Sequence, residues 1–266
     1  MTHVTTIDVT TTDGLSHHEA MALQSTELER TLDLLRTLAP EEWSSPTDCP
    51  AWDVHRMYLH VLGACEAAAS MRENAHQMRL ARRHRRSDGR PLEAGLSHVQ
   101  VRERLDLAPG ELVDRLAAVA PVAVRKRTKL PALLRRVRIG IDGPVVERWS
   151  LGYLTDTIYL RDLWMHRIDA CRATGRSPVL SPDHDGPIVA DVVAEWARRH
   201  HRPFTLTLTG PAGGRFRSAG SSAPGRTGPA RPTAEETDLE IDAVEFCRTL
   251  AGRAPGEGLL ATIVPF

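Results

Sequence analysis

The chain has almost no lysine. Of its 34 basic residues only Lys126 and Lys129 are lysine, and the rest are arginine. That bias, with many alanines, points to a GC-rich genome more than to a function. Acidic residues also number 34, so the formal net charge is zero. This removes the simplest case for binding nucleic acid or a charged membrane surface. Cysteine is sparse: Cys49, Cys65, Cys171 and Cys247 lie far apart and form no CxxC pair. The pattern excludes a disulfide framework and fits free or buried thiols in a reducing cytoplasm. No apolar run approaches the ~20 residues of a membrane span. The opening MTHVTTIDVTTTDG lacks the apolar centre of a signal peptide. Internal repeats are also missing. At 266 residues the chain can build one large domain or two small ones, each with a proper core.

What is present is mostly helical grammar. Residues 1–15 are threonine-rich and read as a flexible N-terminus. From Ser16, Leu28, Leu32, Leu35 and Leu38 recur at helical spacing. A loop with two prolines follows, and Asp48 reads as the N-cap of a second helix that runs past Ser70. A third helix is expected over Glu111–Val124. A Gly143-Pro144 turn comes next, then a long helix over Thr155–Gly175 and a fifth over Ile188–His201. Beyond Pro203 the period changes to two. Phe204–Gly210 and Leu239–Ile241 read as strands, Asp242 as the cap of a helix over Ala243–Ala251, and Leu259–Val264 as a last strand. Residues 210–232, rich in Gly, Pro, Ser, Ala and Arg, read as a flexible insert. The expected fold class is mainly α. A four-helix bundle over 16–201 is followed by a small α+β C-terminal domain over 202–266.

The chemistry concentrates in the long helix. Asp162 and His166 stand four residues apart, which places both side chains on one helix face. A carboxylate beside an imidazole is half of a metal site. The best third ligand is His60, inside the second helix. Two histidines and one carboxylate leave coordination positions open for substrate or water. One divalent ion there, zinc by default with nickel, iron or manganese as alternatives, would lower the pKa of a bound thiol or water, or polarise a carbonyl. Against this stands the ordinary reading of the same residues as surface pair and core histidine. His17, His18, His55, His84, His200 and His201 compete; the last two read as a positive partner for the end of the fifth helix. Glu66 and Asp169 read as surface charge, or as supports behind the ligands. The basic run over 79–90, which contains Arg82, is a solvated helix end or an anion-attracting rim. No aromatic residues interleave with its arginines, which disfavours nucleic acid as a partner.

Three motifs carry a resemblance. PTDCPAWDVHRMYLHVLG, Pro46–Gly63, resembles the signature of the DinB-like mycothiol-dependent maleylpyruvate isomerase family, with Cys49, Pro50, Trp52 and His60 at matching positions. LRDLWMHRIDA, Leu160–Ala170, is similar to that family's EVWVHxxD, with aspartate at Asp162 where glutamate is usual. EIDAVEFCRTLAGR, Glu240–Arg253, and the ending LLATIVPF resemble its small C-terminal domain. The resemblance implies a DinB-like bundle whose metal is held by His60, Asp162 and His166. It implies mycothiol, the pseudodisaccharide thiol of actinobacteria, as cosubstrate. The metal-held thiolate would attack an electrophilic small molecule, giving S-conjugation or cis–trans isomerisation in detoxification or secondary metabolism. It also implies an arginine that holds an anionic substrate. Arg248 and Arg253 are the candidates, each with a structural reading as a helix-end cation, and Arg82 would add to the same field. Neither nucleic acid nor membrane is expected as a partner. The alternative class is a non-catalytic bundle that binds a small molecule or a partner.

Overall fold

The computed structural model describes residues 6–11, 14–142, 146–220 and 236–266. Along the chain run β1 (Thr6–Asp8), α1 (His17–Arg36), α2 (Val54–Ala69), α3 (Met71–Asp88), α4 (Leu92–Arg102), α5 (Pro109–Thr128), α6 (Ala132–Arg135), β2 (Arg138–Ile141) and β3 (Glu147–Ser150). There follow α7 (Tyr159–Ala173), α8 (Pro182–His200), β4 (Phe204–Thr209), β5 (Gly214–Ser218), β6 (Thr237–Asp242) and α9 (Ala243–Leu250). They group into two units. One spans Ser16–Pro178, and the other combines Met1–Leu15 with Val179–Phe266.

The first unit is the four-helix bundle that the leucine spacing predicts. Helix α1 opens with a capping box: the Ser16 hydroxyl accepts from the Glu19 amide, and the Glu19 carboxylate accepts from the Ser16 amide. Helices α1 and α2 each pack against both α5 and α7. Leu28, Leu32 and Leu35 of α1 meet Met57, Val61 and Leu62 of α2, Leu112 and Leu116 of α5, and Leu163 of α7 in one core. Leu116 is fully buried, and its truncation to alanine would cost about 2–5 kcal/mol. Helix α7 is continuous with helical turns from Leu151, and Tyr153–Ile158 within it is π-helical. In that wide turn Asp156 accepts from Nδ1 of His17 at 2.9 Å and from the Arg135 guanidinium.

Three features of this unit differ from the sequence reading. The cap of α2 is Asp53, whose carboxylate accepts from the Arg56 amide at 2.8 Å, and not Asp48. Residues 46–53 are closed into a loop by the Thr47 amide and hydroxyl on the Trp52 carbonyl, 3.2 and 2.8 Å, so no helix can start there. Helix α2 ends at Ala69, where Ser70 turns the chain and caps α3. The basic run then forms the second half of α3, a full helix with only Gln77 and Ala81 buried. Such a helix shows no apolar stripe in sequence. The Gly143-Pro144 turn lies outside the described residues.

The second unit is a four-stranded sheet of order β1-β5-β4-β6. Strand β1 runs parallel to β5, β4 antiparallel to β5, and β6 parallel to β4. Helix α9 packs on β4 and β6, and α8 on β5 and α9. Trp196 of α8 sits against Phe204 and Phe246, with ring centroids 4.7 and 5.3 Å away. The contacts group the fifth helix, α8, with the C-terminal strands. They also bring Thr6–Asp8 of the threonine-rich start into the sheet. Gly214–Ser218, inside the expected insert, is a strand because Phe216 and Ser218 face inward; residues 221–232 of that insert lie outside the described residues. Asp242 caps α9 as read, its carboxylate accepting from the Val244 and Glu245 amides. The expected last strand is a 3-10 turn, Gly258–Ala261, whose Leu259 carbonyl accepts from the Trp196 indole at 3.0 Å.

Candidate metal centre

His60 comes from the middle of α2, and Asp162 and His166 from α7. The bundle core brings the two helices together. Nε2 of His60 lies 3.8 Å from one carboxylate oxygen of Asp162, and Nε2 of His166 lies 3.3 Å from the other. One donor atom from each residue fits within a 4.8 Å cluster. The two imidazoles stand at 89° with centroids 5.7 Å apart. Side-chain exposure rises from 3 % at His166 to 28 % at Asp162, so the cluster is buried at one end and open at the other.

Each imidazole is held from behind. Nδ1 of His60 lies 2.7 Å from Oε1 of Gln100. The Gln100 amide donates to Oε1 of Gln77 at 3.0 Å, and the Gln77 amide donates to the Gly63 carbonyl at 2.9 Å. This buried relay fixes the direction of both amides, so Nδ1 of His60 donates to Gln100 and Nε2 is the ring atom turned toward Asp162. It requires α4 to lie close on α2. A Cβ at Gly63 would come within 2.6 Å of the Gln100 side chain, which is why a glycine stands there. His166 has Nδ1 3.5 Å from Oδ2 of Asp169, and the Cys49 thiol donates to that same oxygen at 3.7 Å. The Trp52 indole stacks on His60 at 5.0 Å and 28°.

Burial pushes the Asp162 carboxyl up, but the His166 and His60 imidazoles outweigh it and hold the group well below the usual carboxylate range. Burial pushes His166 down, and the Asp162 carboxylate, with Asp169 and Cys49 behind it, carries it well above an ordinary histidine. Nε2 of His166 is buried and makes no well-aligned hydrogen bond, although an Asp162 oxygen lies 3.3 Å away. A buried polar atom without a partner is costly. A cation at the point where Nε2 of His60, Nε2 of His166 and the Asp162 carboxylate converge would satisfy it. The donor set therefore fits a divalent metal.

Residues 25–171, more than half of the chain, match the family described as the mycothiol maleylpyruvate isomerase N-terminal domain. The chain belongs to this family. No curated protein matches it. Two solved structures resemble it over 90 % of this chain and 90 % of theirs. A crystal structure of the mycothiol-dependent maleylpyruvate isomerase has 14 % identity and a TM-score of 0.55. A histidine-to-alanine mutant of mycothiol-dependent maleylpyruvate isomerase has 15 % and 0.52. At that identity the likeness speaks for the fold, a DinB-like helical bundle with a smaller α+β region. His60, Asp162 and His166 all fall inside the span that matches the mycothiol maleylpyruvate isomerase family.

The structure brings the three expected ligands together, and Asp169 with them. Asp169 is fully buried and is no surface charge. Glu66, the other expected support, instead pairs with Arg104 and Arg115. Arg82 is exposed on α3. Arg248 lies in α9 of the second unit, buried, with its guanidinium donating to Glu245 one turn earlier. Arg253 follows that helix, its amide donating to the Arg248 carbonyl at 2.9 Å. Gln100 and Gln77 were invisible in sequence because the helices that carry them show no apolar period. Trp52 and Cys49 stood in the first motif without an assigned part.

Proposed function

We propose that this chain is a metal- and mycothiol-dependent transferase or isomerase acting on an electrophilic small molecule. The observation that carries the proposal is the pair of oriented imidazoles: each has its Nδ1 occupied from behind, and the two Nε2 atoms converge on one carboxylate. His60, Asp162 and His166 would hold one divalent ion, zinc by the donor set, with nickel as the alternative. Bound there, it would keep a thiol as thiolate at neutral pH, the nucleophilic form.

The protein's own part is positional. Gln100 and Asp169 set the tautomer and ring angle of the two histidines. The Trp52 indole stacked on His60 restricts that ring's rotation. Attack of the thiolate on the electrophile gives an S-conjugate; expulsion of the thiol after rotation about the weakened bond gives cis–trans isomerisation instead. One arginine, Arg248 or Arg253, is proposed as the contact for an anionic substrate, with Arg82 adding to the same field; replacing the acting arginine by glutamine is expected to raise KM and leave kcat unchanged. All four cysteines are free, and a reducing cytoplasm is the compartment proposed for this thiol chemistry. Among the described residues no helix is long and apolar enough to cross a membrane.

Elemental analysis of the purified protein beside His166→Ala tests the reading. About one zinc or nickel per chain, lost in the variant, followed by turnover of model electrophiles with mycothiol, is expected. A wild-type protein that takes up no metal on reconstitution overturns the metal-thiolate reading and leaves a non-catalytic binding protein.

A further inference from the structure

An open groove of ≈ 410 Å³ lies between the start of α2 and the end of α4. Its polar lining is Arg56, His98 and Arg102, and its apolar lining includes Trp52, Val101 and Leu105. No carboxylate lines it. A second groove of the bundle balances its charge internally. There Glu66, Glu73 and Glu103 stand among the lining residues beside Arg104 and Arg115, and Arg104 and Arg115 are already paired with Glu66. In the groove by Trp52 the charge is only partly cancelled. Arg102 is exposed and has no ion-pair partner among the described residues. Arg56 gives one guanidinium nitrogen to Asp53 at 3.2 Å and is half exposed.

His98 registers this field from inside the groove. Its ring meets His84 of α3 edge-on at 5.0 Å. Partial burial pushes the imidazole down, and Arg90, His84 and Arg102 push it further, against Asp88 alone. Two guanidinium groups beside an apolar surface recognise a carboxylate on a short apolar body: the forks match the planar anion, and Leu105, Val101 and the indole cover the rest. Trp52 belongs both to this groove and to the stack on His60. A molecule seated here touches the ring that orients a proposed metal ligand.

We propose that the Arg56/His98/Arg102 groove binds a small carboxylic acid with a short apolar body.

Sodium benzoate, with the uncharged benzamide as control, tests the groove on the full-length protein at low ionic strength, read by histidine side-chain NMR. Benzoate is expected to shift the His98 ring signals saturably and to raise the His98 pKa, because an anion favours the imidazolium. Benzamide at equal concentration is expected to do neither. Arg102→Gln is expected to weaken benzoate about tenfold, and Arg56→Gln somewhat less, since Asp53 already screens that charge. His166→Ala is expected to bind benzoate as the wild type does, even if metal uptake fails altogether. Benzoate affinity unchanged in both arginine variants, equal binding of benzamide, or a His98 ring that does not respond overturns the proposal. So does loss of benzoate binding in His166→Ala, which would place the anion at the metal centre.

Discussion

Among the described residues two histidines bury an Nε2 that makes no well-aligned hydrogen bond, His166 in the bundle and His200 in the α+β unit. Around His166 stand Asp162, Asp169, His60 and the Cys49 thiol. Around His200 stand Trp196 at 4.3 Å and Phe204 at 5.5 Å. Carboxylates draw His166 upward in pKa. Burial, then His201 and Arg202, push His200 down to about 4. Nδ1 of His200 accepts from the Arg202 amide at 2.9 Å, so its neutral ring is already in use and it is not the charged helix-end partner read from sequence. An orphan nitrogen thus marks a ligand site only where other donors point at the same spot. Elsewhere it marks a ring used as apolar filling.

The largest expected contrast is in metal content. His166→Ala should lower it from about one ion per chain to none, while His200→Phe leaves it unchanged; equal metal in the two variants would break the comparison. Next come the groups behind the ligands. Asp169→Asn and Gln100→Leu should each weaken metal affinity about 10–100-fold, measured by chelator competition. Retained affinity in both would reduce the relay to a packing feature.

The smallest effect is in pH. The folded pKa of His200 lies below the ~6.5 of an unfolded histidine. Between pH ~6.5 and ~4 the unfolded chain binds a proton that the folded chain refuses, so stability falls as the pH falls through that window. Allowing for the partial solvent exposure of the residue, the loss is roughly 1 kcal/mol. Thermal melts of His200→Phe should show a shallower slope over that window than the wild type, and an identical slope would remove His200 from the account.

How much of this was readable depended on where the apolar residues sit. Helices α1, α2, α5 and α7 bury regular stripes, and their periodicity showed. The i,i+4 spacing of Asp162 and His166, and the motif around His60, made the three donors legible before any coordinates. The supports were not. Gln77 is one of two buried residues in an otherwise polar, arginine-rich helix, and an amide buried only to hold another amide leaves no period. Strand β1 has three residues, and Gly214–Ser218 hides two inward side chains among glycine and arginine. Both strands exist because the sheet supplies partners that no local window contains. The segment Leu259–Val264 failed as a strand for the opposite reason: it is an apolar run with which no strand pairs among the described residues.

The wide turn at Tyr153–Ile158 has its own consequence. A straight α-helix ties every side chain to one angular clock, about 100° per residue. The π turn inserts a step into that clock. Asp156, held by His17 and Arg135, and the Asp162/His166 pair beyond it are therefore set in separate phases. The helix can stay pinned at its start while the ligand face turns to meet α2. Deleting Thr157 would merge the two phases, and the chain could then keep its anchor or its ligand face, but not both.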